Sequence, residues 1–182
     1  MEDKEIIALF NKEETKHYGF NLIVSKYQKK VYWLTRKMVV DHDDANDLTQ
    51  NVFIKIWHNL DRFREDASLY TWIYRIASNE CLNFIKKKKK VLFIPIYDLT
   101  KELHAKLDSG SLIDGDEITI RLQKAILTLP NKQRLVFNMK YFEELQYEEM
   151  SSILGTSVGA LKASYHHAVK KIEAYMKASL NQ

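Results

Sequence analysis

Tyr147-Glu148-Glu149-Met150-Ser151-Ser152-Ile153-Leu154 is followed by Gly155-Thr156-Ser157 and then by Val158. The first eight residues read as a short helix. Gly155 sits where a left-handed turn residue is wanted, because glycine alone adopts positive φ without a Cβ penalty. Ser157 is placed to cap the helix that follows. That helix runs to about Met176, with Val158, Leu161, Tyr165, Val169, Ile172 and Met176 on one stripe. Steps of three and four put one buried face on a helix. Two helices joined by a tight glycine turn form a geometry in which the second helix can enter the major groove of DNA. The other face here carries Ala160, Lys162, Ala163, Ser164, His166, His167, Lys170 and Lys171, and with Ser157 ahead of it forms the candidate DNA-facing set. Small residues permit close approach, and lysines neutralise phosphates. At this point an ordinary helical hairpin with a solvated polar face stays open. Adjacent histidines point about 100° apart on a helix, and no cysteine or carboxylate stands at ligand spacing, so a metal site is not expected.

Upstream, the chain is helical by the same test. Ile6, Leu9 and Phe10 begin it, and Phe20, Ile23, Val24, Tyr27, Val31, Leu34 and Met38 follow at helical steps. Asp41, Asp43 and Asp44 supply carboxylates for a helix start. A helix from about Asp44 to Asn59 lines Ala45, Leu48, Val52, Ile56 and Leu60 on its inner face. A polar loop, Arg62 to Ser68, leads to a helix that starts near Ser68 and ends in five lysines, Lys86 to Lys90. Residues 118–129 and 132–142 read as two more helices, divided by Pro130.

Composition agrees. Five glycines and two prolines in 182 residues are few for a loop-rich or all-β chain, and 46% hydrophobic residues suffice for a core. One cysteine excludes a disulfide scaffold within the chain and a cysteine-rich zinc site. No apolar run reaches the roughly 18 residues of a membrane span, and the charged start Met1-Glu2-Asp3-Lys4 leads into no signal-peptide core. The expected compartment is the cytoplasm. Charge is uneven: residues 1–90 are net +4, residues 91–120 net −4 and residues 121–182 net +4. The expected architecture is all-α: a helical domain over 1–90, a flexible linker over 91–117 and a helix-turn-helix domain over 118–182.

Asp44-Ala-Asn-Asp47-Leu-Thr-Gln50-Asn-Val-Phe53-Ile-Lys-Ile-Trp57 resembles the polymerase-binding helix of bacterial sigma factors. Trp72-Ile-Tyr-Arg75-Ile-Ala-Ser-Asn79-Glu-Cys-Leu-Asn83-Phe-Ile, followed by lysines, resembles the adjoining promoter-melting helix. Leu129-Pro130, Gln133-Arg134-Leu-Val-Phe137, Tyr147-Glu-Glu-Met150 and Ile153-Leu-Gly155 resemble the sigma C-terminal domain. Together they resemble an extracytoplasmic-function sigma factor, the smallest class of the sigma-70 type. The likeness covers about 15–90 and 118–176.

The residues carry chemistry that fits this resemblance. Asp47, Gln50, Asn51, Ile54 and His58 form a second stripe on their helix, opposite its core face, and solvent does not require Ile54 or Trp57. The resemblance implies core RNA polymerase as the partner of Asp47, Gln50, Asn51, Ile54 and Trp57. The next helix mixes Tyr70, Trp72, Tyr74, Arg75, Asn79, Asn83 and Lys86. Aromatic faces stack unpaired bases, amides read their edges and lysines hold the backbone. Trp72 shares its stripe with Ile73 and Ile76, so a core role stays open. The resemblance implies that this helix, with Phe63 and Arg64 of the preceding loop, captures one strand of the minus-10 promoter element, and that the last helix docks the minus-35 duplex. Arginines frequent in the family are absent there: Ser164 and His167 stand in their places. Readout is expected to lean on DNA shape. The resemblance also implies an anti-sigma partner, in many cases membrane-bound.

A stand-alone helix-turn-helix regulator is the alternative. Catalysis is not expected: no nucleophile–base pair, phosphate loop or metal motif is present, and no cofactor or small-molecule substrate is implied.

Overall fold

The computed structural model describes residues 1–91 and 117–180. The described residues form eight α-helices and two short 3-10 turns. The helices are α1 Asp3–Phe10, α2 Lys16–Val39, α3 His42–Asn59, α4 Leu69–Val91, α5 Glu117–Leu127, α6 Asn131–Tyr141, α7 Tyr147–Leu154 and α8 Val158–Leu180. Residues 92–116, which hold nearly all of the expected linker, lie outside the described residues; Val91 closes α4 and Glu117 opens α5.

Local chemistry sets the boundaries. α3 begins at His42, two residues before the expected start, because the Asp41 carboxylate accepts from the backbone N–H groups of Asp43 and Asp44 at 3.0 and 3.1 Å. Ser68 caps α4 by accepting from the Thr71 N–H at 3.1 Å. Gln146 and Glu149 close a capping box at the start of α7. Gly155 ends α7 at φ +62°, and its N–H returns to the Ser151 carbonyl at 2.9 Å. Ser157 accepts from the Ala160 N–H at 3.3 Å and starts α8.

α1 to α4 pack around Phe10, Ile23, Val31, Leu34, Met38, Val52, Ile56, Ile73 and Ala77, all fully buried. α5, α6 and α8 close a smaller core of Ala125, Ile126, Leu129, Phe137, Ala168 and Ile172. The larger core does not stop at the first four helices. Leu135, Val136 and Met139 of α6, Leu145, Met150 and Ile153 of α7, and Leu161 of α8 belong to it. The two halves of the chain therefore bury apolar surface against each other. Among the described residues, no helix is long and apolar enough to cross a membrane.

α1 crosses α2 at Gly19, which is buried. A Cβ there would lie 2.6 Å from the Phe10 backbone nitrogen and 2.9 Å from its Cα. Backbone cannot swing aside as a side chain can, so Gly19→Ala should push α1 off the bundle. The expected cost is about 1–3 kcal/mol, read as a lower urea midpoint. An unchanged midpoint would show that α1 does not stabilise the bundle.

Candidate nucleic-acid and polymerase interfaces

The outer stripe of α3 is open to solvent. Asp47, Gln50, Asn51 and His58 are exposed, and Ile54 is 53% exposed. A shallow groove runs beside the stripe. Its apolar end is lined by Phe20, Phe53, Ile54 and Trp57, its polar end by Ser25, Gln28, Tyr32 and Asn46, and Gln50 belongs to both. Trp57 is half-buried rather than presented to solvent. Its indole stacks on His17 at 5.0 Å and meets the rings of Phe10 and Phe20 edge-on. It forms the floor of the groove.

α4 departs from the expectation in one residue. Tyr74 is fully buried, so its ring is not available to stack on a base in this arrangement. It lies against Tyr70 at 4.1 Å between centroids, and its hydroxyl points at the Glu143 carboxylate 3.5 Å away. Burial is the main reason that its hydroxyl is held far above the usual tyrosine range. Tyr70 is half-buried, and burial pushes its hydroxyl up to about 12. The Arg75 guanidinium donates to the Ser152 carbonyl of α7 at 2.6 Å. Phe63 leans on Trp72 at 5.4 Å. Arg64, Asn79, Asn83 and Lys86 are exposed. Further along the lysine run, Lys88 pairs with Asp44.

A second groove separates α3 from α4, lined by Asn59, Arg62, Trp72, Ile76 and Asn79 and crossed by the Lys55–Glu80 ion pair. Arg62 and Asn59 escape sequence reasoning, because the groove draws on two helices and a loop and has no single period.

The capping residue Ser157 and, on α8, Ala160, Lys162, Ala163, His166, His167 and Lys170 are exposed, and Ser164 is half-buried. Lys162 is held above the Tyr147 ring at 5.6 Å, which orders it beside the turn. Among the described residues no group of histidine, cysteine or carboxylate side chains is arranged to hold a metal ion.

The seam between the halves also holds buried polar groups. Arg134 of α6 donates to the Met38 carbonyl at 3.1 Å and to the Leu127 carbonyl at 2.7 Å. Burial lowers its guanidinium pKa to about 10. Lys37 and Glu143 form an ion pair at 2.9 Å.

The family description Sigma-70 region 2 matches residues 23–91, and Sigma-70, region 4 matches residues 119–172. The RNA polymerase sigma-H factor of Pseudomonas aeruginosa is 31% identical over 174 residues, covering 90% of this chain and 89% of the relative. The chain belongs to the sigma-70 family, in its extracytoplasmic-function group. The extracytoplasmic-function sigma factor SigW of Bacillus subtilis is 29% identical over 87% of this chain and 89% of its own length. The sigma-E factor of Escherichia coli K12 is 29% identical over 94% and 92%. Two solved structures share the fold at 20% identity. CnrH in complex with the cytosolic domain of CnrY has a TM-score of 0.69 and covers 97% of each chain. The sigma factor RpoE in complex with the anti-sigma factor NepR, from Bartonella quintana, has a TM-score of 0.65 and covers 87% and 96%.

In this sigma factor the side of α4 that carries Tyr74 and Arg75 is thus partly covered by its own region 4. Arg75→Ala combined with Glu143→Gln removes two polar ties of that cover. The wild type should have a radius of gyration near the compact value of about 16 Å for its length. X-ray scattering should find the double variant several ångström larger at unchanged helix content. Equal radii would place the closing energy in the Arg134 and Asn138 bonds and the apolar contacts.

Proposed function

We propose that this chain is a dissociable initiation subunit of RNA polymerase that works in the cytoplasm and performs no covalent chemistry. The observation that carries the reading is the presence, in one family member, of three separate faces of different chemistry, two of them exposed and the third partly covered. The α3 stripe, Asp47, Gln50, Asn51 and Ile54 over the Trp57 floor, docks on core polymerase. The loop and α4, through Phe63, Arg64, Tyr70, Arg75, Asn79, Asn83 and Lys86, hold the non-template strand of the minus-10 element. The small residues of α8 let it enter the minus-35 major groove while Lys162 and Lys170 neutralise phosphates. Tethering two weak readers in one complex raises the effective concentration of each.

Tyr74 and Arg75 are engaged by the C-terminal half, so strand capture on this face requires the halves to part. Tyr74 then contributes only after separation. An anti-sigma partner fits the same logic, since it would cover faces that polymerase and DNA use.

Transcription from promoter DNA by core polymerase, with and without the chain, tests the reading. Discrete transcripts that appear only with the chain are expected. Duplex DNA binding without polymerase-dependent transcription would favour a stand-alone regulator instead.

Two variants divide the faces. Asp47→Ala with Gln50→Ala should weaken core-polymerase binding about tenfold or more, since removing interface-centre residues costs upward of 1 kcal/mol each; minus-35 duplex binding should be unchanged. Lys162→Ala should lower duplex affinity and reduce the salt slope by about 0.9, one phosphate contact. A slope equal to wild type would remove Lys162 from the interface.

A further inference from the structure

α2 is the most one-sided helix in charge. Residues 16–39 hold Lys16, Lys26, Lys29, Lys30, Arg36 and Lys37 and not one aspartate or glutamate. Lys26, Lys30, Trp33 and Lys37 are spaced by four, three and four, so they lie on one strip of the helix. The strip is about 16 Å long at 1.5 Å per residue.

Trp33 is the odd member. It is 47% exposed, whereas Trp57 and Trp72 are half-buried among other aromatic rings. Its ring neighbour is Tyr32, met edge-on at 5.5 Å. Tyr32 is itself fixed by a 2.8 Å hydrogen bond between its hydroxyl and His42 Nδ1. The indole is therefore braced on one side and open on the other. Folding gains little from leaving so large an apolar surface in water.

The strip adjoins the α4 face. Lys30 Nζ lies 5.2 Å from the centre of the Tyr70 ring, and Tyr70 stacks in turn on Tyr74. Carboxylates already sit on its two ends. Lys26 pairs with Asp3 at 2.9 Å, and Lys37 pairs with Glu143 of the C-terminal half at 2.9 Å. Lys30, at the middle, has no acidic partner among the described residues. Anions thus occupy both ends of the strip and leave the part around Lys30 and Trp33 open.

We propose that Lys26, Lys30, Trp33 and Lys37 form a second track for single-stranded DNA, with Trp33 stacking an unpaired base and the lysines following the phosphates. Cations alternating with an exposed aromatic are the chemistry by which proteins hold single strands without reading sequence. The α3 stripe, which offers Asp47, Gln50, Asn51 and Ile54, has a different character, with an aspartate and amides in place of lysines. The track carries the strand onward from Tyr70 as it leaves α4. The source of that strand, an opened promoter, rests on the sigma reading; strand binding itself does not.

Trp33 and Lys30 are accessible in the closed chain, so the full-length protein is tested alone. Its affinity for fluorescein-labelled dT20 is measured by anisotropy at several salt concentrations, with circular dichroism as the check on folding. Trp33→Ala should weaken binding about tenfold, the scale of one lost stacking contact. Trp33→Phe, which keeps an aromatic face, should stay within about threefold of wild type. Lys30→Ala should reduce the salt slope by about 0.7, one single-strand phosphate. Binding by Trp33→Ala and Lys30→Ala equal to wild type would overturn the track, as would no binding of dT20 by the wild type. Loss of core-polymerase affinity in Trp33→Ala with dT20 binding intact would also overturn it and assign the strip to polymerase. Trp33-dependent strand binding by a chain inactive in transcription would remove the sigma reading and leave the track standing.

Discussion

Arg134 carries a guanidinium into the seam between the two halves, and the closed arrangement turns on where that group ends. It bonds the carbonyl of Met38, at the last turn of α2, and the carbonyl of Leu127, at the last turn of α5. Those carbonyls are the orphan acceptors that a helix C-terminus leaves, with partial negative charge gathered on them. One cation thus serves two helix ends from two domains. The cost is desolvation, visible in a guanidinium pKa lowered to about 10. Asn138 follows one turn later on α6 and reaches the Lys37 carbonyl at 3.4 Å. With the register of α6 against α2 fixed in this way, α7 is laid across α4 and Glu143 is brought to Lys37 and Tyr74.

This packing distributes the faces unequally. The α3 stripe and the outer side of α8 stay exposed, while Tyr74 and Arg75 are occupied. The seam is not sealed tightly. Among the described residues, Arg134 Nε and Asn138 Oδ1 are buried without a hydrogen-bond partner. Each such atom costs on the order of 1–3 kcal/mol, which works against the apolar contacts of Leu135, Met139, Met150 and Ile153. A closed state balanced in this way can be opened by the binding energy of a large partner. The account therefore has polymerase docking on an already exposed face and strand capture on a face that opens second.

Much of this was legible in the sequence. The capping residues Ser68 and Ser157 and the turn at Gly155 act through neighbours within four positions, so local spacing finds them. The exposed stripe on α3 is likewise a property of one helix. Tyr74 was not legible. Its helical position fits the proposed strand-facing set, and it is packing in the core shared by the two halves, with Glu143 at its hydroxyl, that closes it off. Trp57 is half-buried for a similar reason, since the rings of Phe10, His17 and Phe20 that pack on it belong to α1 and α2. Arg62 and Asn59 could not be found from periodicity because their groove is made by two helices and a loop. What local chemistry writes is readable; what the seam between distant segments decides is not.

Distance between the halves tests the central claim most directly. Spin labels at Asn11→Cys and Lys177→Cys, two exposed positions in opposite halves, report it by pulsed electron resonance, while Cys81 is buried, its thiol pushed up to about 12. The account predicts one narrow distance distribution in the free chain and a clear lengthening when core polymerase and promoter DNA are added. An unchanged distance in a complex that is actively transcribing would contradict it, because the strand would then have to be held with Tyr74 and Arg75 still covered.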